Sequence, residues 1–227
     1  MLGADEAGKG PVLGPMVAAA VRADPAAIPD GVDDSKRLSP TSREELDAVL
    51  RGDDRVAVGV ARVPVDRIDD PETDMNTLTV AGQAEALAAV ARGGDRALVD
   101  AGDVSESRFA DRVADAVAAG GADADDGDGV AVDVTAEHGA DESYPVVAAA
   151  SVVAKVERDR VVADLDAAYR GRGYDGVGSG YPSDPDTRAF LREFVAREGA
   201  LPDCARASWS TCDDVLAANE QSALDQF

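Results

Sequence analysis

The chain has 227 residues, of which 45% are hydrophobic and only 4% aromatic, and its formal net charge is -23. Apolar content at that level supports a core and argues against an acidic disordered chain, and the length fits one large domain or a domain with a small appendage. No apolar run reaches the length of a membrane span, and the start has neither the basic region nor the apolar stretch of an export signal, so a cytoplasmic protein without a membrane partner is expected.

Residues 2–5 read as a short strand, and "VLGPMVAAAV" at 12–21 reads as its partner, interrupted near Gly14 and Pro15. The connection is too tight for a crossover helix, so the pair is antiparallel. Ser39 and Pro40 supply an N-cap and first helical position before "TSREELDAVL". "RVAVGVARV" at 55–63 alternates like a strand, and Thr77–Gly93 reads as a helix closed by glycine. "RALVD" at 96–100 is a short buried strand ending in an acid. In 105–120, Phe109, Val113 and Val117 share one helical face, and Gly120 ends it. The Gly/Asp-rich segment 120–130 lacks apolar anchors and reads as a solvated loop; a calcium loop is the alternative, but its acids do not match the EF-hand spacing. A strand over 129–135, a long helix over Val147–Tyr169 and a last long helix starting at Asp184 and Pro185 complete the pattern. The whole is an α/β chain with a mixed sheet, the later strands parallel. Cys204 and Cys212 match no zinc spacing and read as free or buried thiols.

The opening "GADEAGKG" places Asp5 and Glu6 side by side, before a Gly-Lys-Gly run. Gly3, Gly8 and Lys9 fit part of a Walker A loop, but Gly10 stands where that loop needs Ser or Thr, and two acids would face the phosphates. A strand followed by an acidic turn is the plainer reading. A metal site is the third: carboxylates hold a hard cation, and glycines let a backbone approach. Asp100 ends a second strand, and Asp141 precedes the long helix. Acids gathered at such points repel one another unless cations neutralise them. Oxygen ligands suit magnesium or manganese, and two such ions are a common device for phosphodiester hydrolysis.

Basic residues are sparse, and only Lys9, Lys36 and Lys155 are lysines. Few lysines, many aspartates and much Ala and Val resemble the proteins of salt-loving archaea. In molar salt the Debye length falls to about 3 Å, so local cations matter more than net charge.

Four stretches carry a family resemblance: "GADEAGKGPVLGP", "DDSKRLS" at 33–39, "ADESYPVVAAASVVAKVERDR" at 140–160 and "GSGYPSDP" at 178–185. In this order they resemble ribonuclease HII, the type 2 ribonuclease H family, over essentially the whole chain. The resemblance implies an RNase H-like mixed sheet with flanking helices and a C-terminal helical part. It implies a single catalytic domain over 1–220. It also implies an endonuclease that hydrolyses the RNA strand of RNA–DNA hybrids and incises duplex DNA at embedded ribonucleotides, leaving 5′-phosphate and 3′-hydroxyl ends. By the same resemblance Asp5, Glu6, Asp100 and Asp141 hold two divalent ions, Mn²⁺ or Mg²⁺. Gly8, Lys9, Gly10 and Tyr181 read the 2′-hydroxyl, the group that separates RNA from DNA. Lys36, Ser151, Lys155 and Arg158 are the expected phosphate contacts. His138, the one histidine, is expected to be structural, and the enzyme to be a monomer. The rival readings are another two-metal nuclease of this fold, a non-catalytic hybrid-binding module, and an acidic interaction protein.

The last residues, "QSALDQF", place Gln221, Leu224 and Phe227 at Q-x-x-L-x-x-F spacing. This resembles the sliding-clamp peptides of replication and repair proteins, with residues 221–227 as the clamp-binding tail. The alternative is a helix end that packs on its own domain.

Overall fold

Among the described residues, five strands form one sheet in the order β3-β2-β1-β4-β5. The computed structural model describes residues 1–32, 38–120 and 129–224, with side chains through 222. The elements run β1 (Leu2–Ala7), β2 (Met16–Ala23), α1 (Pro40–Gly52), β3 (Val56–Val63), α2 (Val65–Ile68), α3 (Met75–Ala88), β4 (Arg96–Asp100), α4 (Glu106–Ala118), β5 (Asp133–Glu137), α5 (Ala140–Ser143), α6 (Pro145–Gly171), α7 (Pro185–Glu198) and α8 (Ser210–Leu224). A 3-10 turn spans Pro25–Ala27. β1 pairs antiparallel with β2, Asp5 opposite Ala19, and parallel with β4, which pairs parallel with β5. The fold is thus the expected mixed α/β sheet with flanking helices. Among the described residues, no helix is long and apolar enough to cross a membrane.

The chain packs as two compact units. The first comprises Met1–Ala7, Val17–Val63 and Asp74–Glu157; the second comprises Gly8–Met16, Pro64–Thr73 and Arg158–Phe227. In the first unit, successive side chains of each strand serve opposite faces of the sheet. Leu2, Ala4, Ala18, Ala20 and Val99 pack with Leu87 of α3 and Phe109, Val113 and Val117 of α4. Ala19 and Val21 pack on the other face with Leu50 of α1 and Val147, Ala150 and Val153 of α6. Gly3 faces α6 so closely that a Cβ there would lie 2.5 Å from the Val146 carbonyl. Small residues at 3, 4 and 18–20 therefore let helices lie flat on the sheet.

The second unit is built around Tyr169, Tyr174, Phe190 and Phe194, with Leu13, Val177, Leu191 and Cys212. Tyr169 meets Phe190 edge-on with centroids 4.7 Å apart, an arrangement in which ring edge meets ring face. Both cysteines are free and buried, as the sequence suggests.

Several boundaries differ from the sequence reading. β2 starts at Met16, because the preceding segment bonds elsewhere: Val12 N and Leu13 N donate to the Gly180 carbonyl, and Gly14 N to that of Cys204. α3 starts earlier, at Met75, because the Asp74 side chain caps it by accepting from Thr77 N at 2.9 Å. β5 lies at 133–137, where it aligns with Arg96–Asp100 of β4. α2 and α8 were not expected from the pattern.

Candidate active site

Asp5 and Glu6 leave β1 on opposite faces of the sheet by strand alternation, yet their carboxylates meet. One ligand oxygen each from Asp5, Glu6 and Asp100 lies within 4.8 Å of the others. Asp5 is almost fully buried, 5% exposed, while the other two are half-buried. β1 and β4 are parallel neighbours inside the sheet, so their C-terminal ends lie side by side and bring their acids together. Asp100 Oδ1 also accepts from Ala140 N at 2.8 Å, which ties β4 to the start of α5. Asp141 lies on α5 and is likewise buried, but outside that 4.8 Å group.

The electrostatics follow from this crowding. Burial first, and then the negative charge of Glu6, push the Asp5 carboxyl up to about 8. A hydrogen bond from Ser151, the charge of Asp100 and that of Lys155 act on it less, the first and last in the opposite sense. Lys155 donates to Ser151 Oγ one turn earlier on α6, and Ser151 is fully buried. Three carboxylates crowded this closely, one of them buried, suit a hard divalent cation, which removes the repulsion that burial amplifies. The donor set therefore fits magnesium or manganese.

His138 stands apart from this chemistry. Its Nδ1 pairs with Glu106 at 2.8 Å and its Nε2 with the Asp103 carbonyl at 2.8 Å, joining the end of β5 to the start of α4. The Asp103 carbonyl, and next Glu106, raise its pKa.

The second unit holds the glycine-lysine-glycine run and Tyr181. Gly8 has φ +90°, a left-handed conformation that a side chain would strain. Gly10 approaches the Tyr181 ring, where a Cβ would lie 3.9 Å from Cε1. Tyr181 is 41% exposed, so it is not a core aromatic. Its loop is fixed by Asp184, whose Oδ2 accepts from Ser179 N and Ser179 Oγ at 2.6 Å each. Those bonds hold the Asp184 carboxyl down at about 2. Arg158 is buried, and its Nη2 donates to the Ser179 carbonyl. Lys36 and Phe227 lie outside the described residues, as does the side chain of Leu224; Gln221 is exposed on α8.

Three residues here escaped the sequence reading. Gln83 donates from α3 to Glu6, Arg206 donates to the carbonyls of Gly8, Lys9 and Gly14, and Trp209 donates to that of Gly10. Gln83 carried a weak signal, as a lone amide within the apolar run "VAGQAEAL".

Comparison with known proteins places the chain in a family. The family model for ribonuclease HII matches residues 2–212. Ribonuclease HII of Halobacterium salinarum is 61% identical over 225 residues, covering 99% of this chain and 98% of that protein. The crystal structure of ribonuclease H2 from Pyrococcus horikoshii superposes with TM-score 0.79 at 35% identity, covering 97% of this chain and 99% of that one. The structure of the PCNA:RNase HII complex from Archaeoglobus fulgidus gives TM-score 0.77 at 36% identity, with 94% and 95% covered. A chain whose acids converge at the ends of two neighbouring strands, and whose sequence and fold match these proteins over nearly their whole length, belongs to the ribonuclease HII family, endonucleases that cleave the RNA of RNA–DNA hybrids and incise DNA at embedded ribonucleotides.

Proposed function

We propose that Asp5, Glu6, Asp100 and Asp141 are the acids that hold two divalent ions, with Asp5 central. The convergence of Asp5, Glu6 and Asp100 oxygens within 4.8 Å is the observation that carries this reading. Asp141, buried next to Ala140, supports it as a fourth acid, because Ala140 N is already bonded to Asp100. When bound, divalent cations supply the Lewis acidity for phosphodiester hydrolysis. The chain's own part is to hold Asp5 in place; the Ser151 hydrogen bond and the Lys155 charge favour its ionised form, against burial and the charge of Glu6, which prevail until a cation is bound. No serine or histidine nucleophile is required, and His138 is occupied by Glu106 and the Asp103 carbonyl.

Recognition of the 2′-hydroxyl is assigned to Gly8, Lys9, Gly10 and Tyr181. Support comes from the left-handed Gly8, the approach of Gly10 to the ring, and the exposed Tyr181 with a hydroxyl that can both donate and accept. Lys36, Lys155, Ser151 and Arg158 are assigned to the phosphates. Ser151 and Arg158 are buried and bonded, so they act by steadying Lys155 and the Tyr181 loop. The tail 221–227 is assigned to a sliding clamp, on the spacing of Gln221, Leu224 and Phe227 and the PCNA complex of the Archaeoglobus fulgidus protein. A cytoplasmic location fits these partners.

The deciding assay is cleavage of duplex DNA carrying one ribonucleotide, with Mg²⁺ or Mn²⁺ at high potassium chloride. Asp5→Asn is expected to lose activity by about 10²–10³-fold or more, as removal of one preorganised electrostatic group does. Substrate binding should remain measurable. Near wild-type cleavage by that variant would overturn the assignment of Asp5.

A further inference from the structure

Gln83 is fully buried in α3, among Val80, Ala84, Ala86 and Leu87. Its Nε2 donates to Glu6 Oε2 at 2.5 Å and to the Asp100 carbonyl at 3.0 Å. Those two bonds use both amide protons, and they reach two members of the acid cluster from one side chain. Its Oε1 is buried and has no hydrogen-bond partner among the described residues. A buried amide left half-satisfied destabilises a core relative to an apolar side chain of the same size. Packing alone therefore does not account for this residue.

The strand geometry says what does. Leu2 and Ala4 point into the core shared with α3 and α4, and Glu6, two residues further on, leaves β1 on that same face. Asp5 leaves on the opposite face, toward Ser151 of α6. Glu6 must therefore be steered to the strand end to reach Asp5 and Asp100. A donor on α3 stands where it can do this.

We propose that Gln83 is a positioning residue: it holds the Glu6 carboxylate beside Asp5 and Asp100 and thereby sets the affinity of the cluster for divalent cations. The proposal rests on the reading of these acids as metal ligands. Groups that hydrogen-bond metal ligands from behind typically account for about 10–100-fold in affinity or activity.

The test is calorimetric titration of the full chain with Mn²⁺ at high potassium chloride, alongside thermal melts in chelator. Gln83→Met keeps the volume and removes both donors. It is expected to melt at or above the wild-type temperature, yet to bind Mn²⁺ about 10-fold more weakly. The Mn²⁺ concentration for half-maximal cleavage should rise by a similar factor. If Gln83→Met does not fold, Gln83→Asn, too short to reach Glu6, gives the same readout. Wild-type Mn²⁺ affinity in the Gln83 variant, with binding lost in Asp5→Asn, would overturn the proposal and leave Gln83 a packing residue. Wild-type affinity in Asp5→Asn as well would overturn the ligand reading and the proposal with it.

Discussion

The guanidinium of Arg158 lies over the ring of Tyr181, its central carbon 5.0 Å from the ring centroid, while its Nη2 donates to the Ser179 carbonyl at 2.5 Å. One buried cation thus supports an exposed ring and fixes the backbone two residues before it. The ring is held in place without being buried. Tyr181→Ala is expected to lower cleavage at a lone ribonucleotide by about 10-fold or more, consistent with roughly 1–3 kcal/mol for one stacking contact. Stability should move by no more than about 0.5 kcal/mol, as for an exposed site. Parallel kinetics and thermal melts check this, and equal losses in both would make Tyr181 a structural residue.

Arg206 is fully buried and spends all three guanidinium nitrogens on backbone carbonyls: Nε on Gly14 at 2.9 Å, Nη1 on Lys9 at 2.9 Å and Nη2 on Gly8 at 2.7 Å. Burial, and then the charge of Arg158, pull its pKa down to about 10, so it stays protonated at neutral pH. Arg206→Met removes the bonds to three carbonyls and is expected to destabilise the chain by roughly 3 kcal/mol or more. Trp209, the one tryptophan, lies over Arg206 at 5.0 Å and donates to Gly10. Its fluorescence should shift in the variant. An unchanged emission spectrum and denaturation midpoint would argue that the loop holds itself.

His138 gives a pH dependence with a definite sign. Both ring nitrogens face acceptors, the Asp103 carbonyl and Glu106, so the folded state favours the doubly protonated ring and raises its pKa above 6.5. Its contribution to stability is therefore fully present below the unfolded value, and is lost as pH rises through the folded one. NMR titration of the single histidine should give a midpoint above 6.5. His138→Gln should flatten the corresponding part of the stability profile. A midpoint at or below 6.5 would contradict the paired geometry.

Deletion of 221–227 should leave cleavage of short substrates unchanged, since the acids and Tyr181 lie elsewhere in the chain. It should remove any stimulation by the organism's own clamp. The contact is expected to be apolar and so to persist at high salt, where a charge-driven one would fade. Titration of the seven-residue peptide against that clamp checks this, and no heat or competition at high peptide concentration would count against recruitment.

Much of the site's raw material is readable from the chain alone. The short apolar runs ending in Asp5, Glu6 and Asp100, the Ser39 and Asp184 caps, and the glycines flanking Lys9 are local signals, because strand alternation, capping and left-handed turns involve only near neighbours. α8 left no comparable trace: "STCDDVLAANEQSAL" offers only a few apolar positions, of which Cys212 and Val215 pack into the second unit's core. Residues 12–15 looked like strand because they are apolar, but Gly180 and Cys204, far along the chain, take their hydrogen bonds. β5 likewise took its register from pairing with β4 rather than from its own sequence.

The sequence by itself thus determined which acids, glycines and aromatic side chains are available, and the type of the main elements that carry them. The tertiary structure decided which of them meet. Gln83 reaches Glu6 across 77 positions and Arg206 reaches Gly8 across 198. Periodicity and capping act over a few residues and cannot specify such pairs. They arise only when helices pack on the sheet and buried donors must find acceptors in whatever backbone or side chain then lies beside them.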